Sequence, residues 1–557
     1  MNAIARPSYA IVGGFSRLLG FQPTISTEAL ALATSAFFTI FCNGAFWHRV
    51  AATGALHGAG GWLTAASLFV AITALHTVLL LLVLNRRTAK PLLAVWFLVT
   101  AMAVHYMDQY TVYFDPDMIR NILHTDSKES GELITLGLAW PLLLYFVLPT
   151  ALVWRLRLKK RPLGRSLLIR GLCVLAAVLV AAGAMLASFQ NLSSLMRNHT
   201  ELRHLITPGN YLISLGRVMH DAHKAKGPRT PIGADAKVVG RAATAKPRLL
   251  VVVLGETVRA QNWGLNGYAR QTTPELAGIA PVNFSDVTAC GTSTEVSVPC
   301  LFSPFGRVHY DKARIRGSES LLHVLEHAGI GTLWRDNQTG CKGVCDGLAF
   351  ESFEHATDPA LCTAEGCQDE VMLRGLVEEC DRRPGDRVVV LHQLGNHGPS
   401  YYLRYPQRLQ RYVPACQRSE LGTCTREEIV NAYDNAVLHT DEFVAHTIRL
   451  LITQASTHDT ALIYLSDHGE SLGENGLYLH GVPHAIAPET QTKVPMVMWL
   501  SPELAAEQRI DIACMKRNAA APASHDNLFH SVLGLMQVRT AAYDGSLDLF
   551  RRCTARG

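Results

Sequence analysis

The hydrophobic pattern changes character partway along the chain. Before about residue 189 the apolar positions fuse into five long runs, roughly 29–48, 62–84, 91–112, 134–154 and 167–188. Each is long enough to cross a hydrocarbon core of about 30 Å as a helix. After about residue 246 the apolar runs shorten and alternate with amphipathic stretches. Runs at 248–254, 330–335, 387–394, 460–466 and 493–500 predict buried strands, and the stretches 318–329, 369–380 and 427–453 predict helices. That alternation predicts a mostly parallel sheet covered by helices on both faces. Between the two regimes lies a connector of mixed helical and turn character, broken at Pro208-Gly209-Asn210 and ending in a Lys-, Gly-, Ala- and Pro-rich linker over 223–246. The expected organisation is a five-helix transmembrane domain at 1–188, a bridging helix and linker at 189–246 and an α/β domain at 247–557.

Basic residues orient the spans. Arg86, Arg87 and Lys90 fall between the second and third, and Arg155, Arg157, Lys159, Lys160, Arg161 and Arg165 between the fourth and fifth, so both loops are expected on the cytoplasmic side. The loop 113–133 carries Asp115, Asp117, Asp126, Glu129 and Glu132 and is expected outside. With a cytoplasmic N-terminus, five spans put everything after residue 189 on the far side. The first run is too long for a removable signal peptide and lacks its small-residue cleavage site. The net charge of +5 is small for 557 residues and belongs partly to the cytoplasmic loops, so nothing points to nucleic acid.

The cysteines agree with export. Of 13, Cys42 and Cys173 fall in spans and read as apolar fillers. Four close pairs read as disulfides of an exported domain: Cys290 with Cys300, Cys341 with Cys345, Cys362 with Cys367, and Cys416 with Cys424. A zinc knuckle is disfavoured because the flanking residues lack its compact ligand spacing. Cys380, Cys514 and Cys553 have no obvious partners.

In parallel sheets, functional sites gather outside the carboxyl ends of the strands. Glu256, Asn396-His397 and Asp467-His468 each follow a predicted strand. Two carboxylates, one imidazole and the hydroxyl of Thr294 make a mixed oxygen and nitrogen shell for a divalent metal. A metal-bound Thr is an activated nucleophile. Thr294 also opens a helix-like run, Glu295-Val296-Ser297-Val298-Pro299, where a Thr serves equally as a cap. A helix N-terminus favours a phosphoryl group as well. Thr292 and Ser293 are rival nucleophiles on these grounds. His397 and His480 lie in Gly-bounded loops suited to ligand contacts, whereas His392 and His484 read as structural. A sulfatase needs a modifiable Cys or Ser, then Pro, then Arg; Ser297-Val298-Pro299-Cys300-Leu301 lacks the Arg.

Taken together, these motifs resemble the membrane-bound lipid A phosphoethanolamine transferases, the family that includes the mobile colistin-resistance enzymes. The resemblance is carried by Gly255-Glu256-Thr257-Val258-Arg259-Ala260, Asn266-Gly267-Tyr268, Cys290-Gly291-Thr292-Ser293-Thr294, Trp334-Arg335-Asp336-Asn337, Gly395-Asn396-His397-Gly398-Pro399 and the run from Ser466-Asp467-His468-Gly469-Glu470 through His480-Gly481. It spans nearly the whole chain. It implies an alkaline-phosphatase-like catalytic domain in the periplasm of an inner-membrane protein, with Glu256, Thr294, Asp467 and His468 as zinc ligands and Thr294 as nucleophile. His397 and His480 match residues that contact the phosphoethanolamine and can help to hold a second zinc. Lys342 matches a substrate-contacting Lys. Asn121, Thr125 and Glu129 match membrane-side contacts to the donor head group and form an i, i+4, i+8 stripe.

The implied reaction moves phosphoethanolamine from phosphatidylethanolamine to a lipid A phosphate, by a monomer, lowering outer-membrane negative charge and binding of polymyxins and cationic peptides. Other readings keep the chemistry but change the acceptor to a core heptose or periplasmic glucan, or make the chain a manganese-dependent glycerol-phosphate transferase. A catalytically silent lipid-binding membrane protein is the reading from another class. Two features depart from the family's usual pattern. One is the pair Cys341 and Cys345, present in only part of it; the other is Glu295, where Ala or another small residue is common.

Overall fold

The computed structural model describes residues 22–125, 127–224, 227–240, 245–363, 366–382 and 384–555. The chain divides into two compact units, Met1–Asp108 with Leu136–Ile213, and Gln109–Thr135 with Ser214–Gly557. The second unit therefore includes the acidic segment that separates two of the long apolar helices in sequence.

In the first unit the apolar runs form α1 (Thr27–Phe41), α2 (Gly44–Ala52), α3 (Gly58–Val83) and α4 (Ala89–Tyr110). After α5 (Pro116–His124), which belongs to the other unit, come α6 (Leu136–Arg155) and α7 (Leu163–Ala187). Among the described residues, four helices, from Gly60, Ala89, Leu136 and Leu163 onward, are long and apolar enough to cross a membrane, and α1 with α2 makes a fifth if the bent pair counts as one span. The run at 29–48 is thus not the straight helix its hydrophobicity predicts: α1 and α2 meet at 50°. Asn43 sits at the break. Its Nδ2 donates to the carbonyls of Phe38 and Thr207 at 2.8 and 2.7 Å, and its Oδ1 accepts from the Thr207 amide at 2.8 Å. A buried side chain that bonds backbone in this way competes with helix continuation. On α7, Leu168, Leu172, Leu175 and Leu179 repeat at helical spacing and stay exposed, an apolar stripe suited to lipid.

The second unit is built on an eight-stranded sheet. Its strands are β1 (Arg248–Gly255), β2 (Val282–Thr288), β3 (Gly331–Asp336), β4 (Phe350–Ser352), β5 (Arg387–His392), β6 (Asp459–Ser466), β7 (Lys493–Leu500) and β8 (Ala523–Ser524). In space they run β8-β2-β7-β6-β1-β5-β3-β4. The block β6-β1-β5-β3-β4 is parallel, and β7 is antiparallel to both β6 and β2. β1, β5 and β6 are buried along their whole length, as expected of strands covered on both faces. One apolar cluster containing Leu250, Val252, Leu254 and Phe529 fills one side of the sheet; another containing Val251, Val253, Tyr433 and Phe443 fills the other. A short helix, α8 (Thr294–Leu301), follows β2 and packs Val298 and Leu301 into the first cluster. The long helix α9 (Arg426–Thr453) covers the second side. It starts at a capping box in which Thr425 and Glu428 satisfy each other's backbone amides. The helix expected at 369–380 is split: Gly375, at φ +64°, separates a 3₁₀ turn at Asp369–Leu373 from a helix at Leu376–Asp381.

Among the described residues, five disulfides brace this unit. Four are the close pairs read from spacing: Cys290 with Cys300, Cys341 with Cys345, Cys362 with Cys367, and Cys416 with Cys424. The fifth joins Cys514 to Cys553, two of the cysteines for which the sequence offers no partner. Cys380 is buried outside these pairs. The bond from Cys514 to Cys553 links residues 39 apart. Loop-closure entropy for that span is worth about 4 kcal/mol. The Cys514→Ser/Cys553→Ser protein is expected to unfold at distinctly lower denaturant concentration than the wild type. An unchanged midpoint would show that this bond does not stabilise the domain.

Candidate active site

The parallel pairing of β6, β1 and β5 brings three chemically loaded strand ends side by side. In register, Ser466 faces Gly255 and His392 faces Leu254, so Glu256, the Asn396-His397 loop and Asp467-His468 all leave the sheet at one edge. The close approach depends on a glycine. Gly395, at φ +51°, lies where a Cβ would stand 3.0–3.1 Å from backbone and Cβ atoms of Glu256. Thr257 follows Glu256 at φ +54°, a costly conformation for a β-branched residue, and its amide donates to Asp467 Oδ1 at 3.3 Å.

Helix α8 delivers the hydroxyl from another direction. Ser293 is its N-cap residue but makes no side-chain cap hydrogen bond. Thr294 does not cap either: its Oγ1 lies 3.3 and 3.2 Å from the two carboxylate oxygens of Glu256 and 3.4 Å from His468 Nε2. Of the rivals, Thr292 is committed to the Val482 carbonyl at 2.7 Å. Ser297, at the position that reads as a failed sulfatase motif, is wholly buried and donates to the Asp467 carbonyl.

Glu256, Asp467 and His468 are fully buried, and one ligand atom from each lies within 4.8 Å of the others. His468 Nδ1 bonds the Gly469 carbonyl at 2.9 Å, which leaves Nε2 facing the carboxylates at 3.4 Å for Glu256 and 3.3 Å for Asp467. A backbone bond at one ring nitrogen is how proteins fix the tautomer that ligates through the other. Asp467 Oδ2 is buried and accepts no hydrogen bond from the described residues. Burial and the Glu256 charge push the Asp467 carboxyl up to about 7. Burial pulls His468 down, but Asp467 and Glu256 outweigh it and lift the imidazole to about 9. Burial also raises Glu256, yet bonds from His397 and His468 hold it well below the usual carboxylate range. Two buried carboxylates, one with an oxygen that accepts no hydrogen bond from the described residues, and an oriented imidazole fit a divalent cation.

Around this cluster stand two further imidazoles. His397 Nδ1 lies 3.3 Å from Glu256 Oε1, and the His480 ring centroid is 5.8 Å from that of His397 and 4.3 Å from that of His468. His480 is held through Nδ1 by buried Glu470 at 2.9 Å, and Glu470 in turn accepts from Tyr401 at 3.0 Å. His392 pairs with Asp336 at 2.8 Å under the sheet edge, in keeping with a structural role. Asn121 lines a cavity of about 200 Å³ with Thr292, Ser293, Gly481 and His484. Thr125 spends its hydroxyl on the Asn121 carbonyl at 2.8 Å, and the Glu129 side chain lies outside the described residues. Lys342 faces a separate cavity of about 600 Å³ that Arg229 and Arg316 also line; among the described residues its ammonium bonds Thr339, not the Thr294 cluster.

Sequence reasoning missed several supports. Gln338 donates to Glu256 Oε2 at 3.3 Å, and Asp369 accepts from the Leu394 and Gly395 amides at 2.8 and 3.0 Å, pinning the His397 loop. Glu470 was visible inside the Asp467-His468-Gly469-Glu470 run; Gln338 and Asp369 carry no signal in sequence.

The sequence matches two family models, phosphoethanolamine transferase EptA/EptB over residues 72–223 and sulfatase over 248–538. It is 37% identical over 539 residues to phosphoethanolamine transferase EptA of Escherichia coli K12, covering 96% of this chain and 98% of that one. It is 36% identical to the phosphatidylethanolamine transferase Mcr-1 of Escherichia coli over 492 residues, covering 86% and 90%. The fold superposes on the integral membrane lipooligosaccharide phosphoethanolamine transferase A of Neisseria meningitidis with a TM-score of 0.90 at 34% identity, covering 96% of this chain and all of that one. On this full-length likeness, the chain belongs to the family of membrane-bound phosphoethanolamine transferases.

Proposed function

We propose that this transferase moves phosphoethanolamine from phosphatidylethanolamine to a phosphate of lipid A through a covalent ester on Thr294. The observation that carries the reading is the convergence of the Thr294 hydroxyl with Glu256 and His468 at the N-terminus of α8. Glu256, Thr294, Asp467 and His468 would hold zinc, which when bound lowers the pKa of a ligated hydroxyl and offsets the two carboxylates. Ligand type alone also admits manganese. His397 and His480 are placed to share a second ion or to contact the donor phosphate.

The Thr294 hydroxyl donates toward Glu256, so its proton has an acceptor before attack. The Thr294 oxygen forms a bond to phosphorus, the bond to the glycerol oxygen breaks in line, and diacylglycerol leaves with a proton. Charge on the phosphoryl oxygens is met by the α8 N-terminus and the imidazoles of His397 and His480. Lys342 adds a further cation if donor or acceptor reaches its cavity. An oxygen of the acceptor phosphate then attacks phosphorus, the bond from phosphorus to the Thr294 oxygen breaks, and the proton given up by the acceptor phosphate restores the hydroxyl. The acceptor gains an amine, so the negative charge of the outer membrane and polymyxin binding fall. The reading places the chain in the inner membrane with its catalytic unit in the periplasm, working as a monomer.

Mass spectrometry of lipid A from cells expressing the protein tests this reading: a phosphoethanolamine adduct is expected. An unmodified lipid A with the adduct on a core heptose or a glucan would replace the acceptor and keep the mechanism. Within the site, His397→Ala is expected to slow transfer by about 10²-fold while leaving most bound metal in place. Equal loss of metal and transfer would place His397 in the primary metal shell.

A further inference from the structure

A second set of charged contacts surrounds the site without touching the reacting atoms, and it ends on the segment Gln109–Thr135. Helix α5 presents Asp117, Arg120 and His124 on one face. Lys312 pairs with Asp117, Arg120 pairs with Asp221 at 2.6 Å, and His124 Nδ1 lies 3.2 Å from Glu295 Oε2. Glu295 follows Thr294, and its side chain is wholly buried. Its other carboxylate oxygen takes Arg316, which also donates to the Glu295 carbonyl at 2.7 Å. Further along the segment, Glu132 accepts from Arg404 at 2.8 and 2.7 Å. The Arg404 Nε donates to the carbonyl of His397 at 2.6 Å. One end of the segment is therefore tied to the residue beside the nucleophile, the other to the backbone of a site histidine.

The Glu132–Arg404 pair is not the weak pair of an open surface. The Arg404 side chain is 4% exposed and that of Glu132 13%. Such charge-assisted bonds are the strong kind, and truncating Glu132 with the segment in place leaves the Arg404 charge buried without its carboxylate. Met118 packs over Gly481, next to His480, where a Cβ would meet its Cε at 2.8 Å.

We propose that His124–Glu295 and Glu132–Arg404 form a two-point clamp, with Glu295 and Arg404 as positioning residues. The clamp holds Asn121 and Thr125 against the nucleophile loop and so sets the affinity for the donor head group. It rests on the reading above of Asn121 and Thr125 as donor contacts, and it gives Glu295 a task that a small residue there would not perform.

The test uses the full-length protein in mixed micelles of detergent and phosphatidylethanolamine. Donor KM and kcat, and amide hydrogen exchange across residues 116–132, are measured for the wild type, His124→Ala, Glu132→Ala and Glu132→Asp. His124 is half-exposed, so its loss leaves the fold intact. Each alanine variant is expected to raise donor KM about tenfold with kcat retained, and to speed exchange in the segment by a similar factor. Glu132→Asp is expected to recover most of both. A merely structural role would lower kcat and folded fraction without this split. Unchanged exchange in both alanine variants overturns the clamp whatever the activity. Faster exchange with unchanged KM overturns its link to donor binding. A wild type that turns over no phosphatidylethanolamine, with exchange still faster in the variants, sinks the donor assignment and leaves the tether standing.

Discussion

Cells expressing the Thr294→Ala protein are expected to carry unmodified lipid A at membrane levels of enzyme equal to those of the wild type. The Thr294 hydroxyl faces Glu256 and His468 and does not cap α8, so its removal spares the fold. It takes away the oxygen that would carry the phosphoethanolamine, and losses of at least about 10³-fold in rate are usual for a removed nucleophile. Thr292→Ala is the matched control, because that hydroxyl holds the Val482 carbonyl instead. Its expected cost is within about tenfold, the worth of one internal hydrogen bond. Lipid A mass spectra of the two variants decide the matter. Substantial adduct from Thr294→Ala would remove Thr294 as the covalent carrier.

Asp467→Asn is expected to act in opposite directions on two measurements. Without metal, Asp467 and Glu256 are two buried carboxylates in one cluster, and Asp467 Oδ2 has no hydrogen bond among the described residues to lose. An amide of the same shape removes like-charge repulsion, so the chelator-treated variant is expected to melt about 3–6 °C above chelator-treated wild type. The same change weakens the proposed cation site, and zinc retained after dialysis and the transfer rate are each expected to fall by at least about 10²-fold. Elemental analysis and thermal melting on the same preparations read both effects. A variant that melts lower without metal and keeps its zinc would show that Asp467 is a structural residue.

How far the chain was legible depended on whether the signal was local. The buried strands β1, β5 and β6 are unbroken apolar runs, and the rule that parallel sheets bind at their carboxyl ends carried Glu256, His397, Asp467 and His468 to one edge. β2 was not read because Val282–Thr288 alternates apolar with polar residues, and β4 and β8 are only three and two residues long. The first apolar run read as one helix because hydrophobicity says nothing of the bonds Asn43 makes to Thr207, far away in sequence. Spacing alone paired Cys341 with Cys345, Cys362 with Cys367 and Cys416 with Cys424, because only a few residues separate each couple. It did not pair Cys514 with Cys553, since 39 residues lie between the partners. In the site, the strand-end residues announced themselves, but Gln338 and Asp369 act only through tertiary approach. Glu295 stood out in sequence without a role; Arg316 and His124, its partners, lie on separate elements.

The five disulfides described all fall in the unit that holds the site, and the bond between Cys290 and Cys300 encloses Thr294. The proposed nucleophile therefore sits in a covalent ring that closes only where thiols are oxidised. Copies of the catalytic unit held in a reducing compartment would lack that ring, and with it the constraint it places on the loop that carries Thr294.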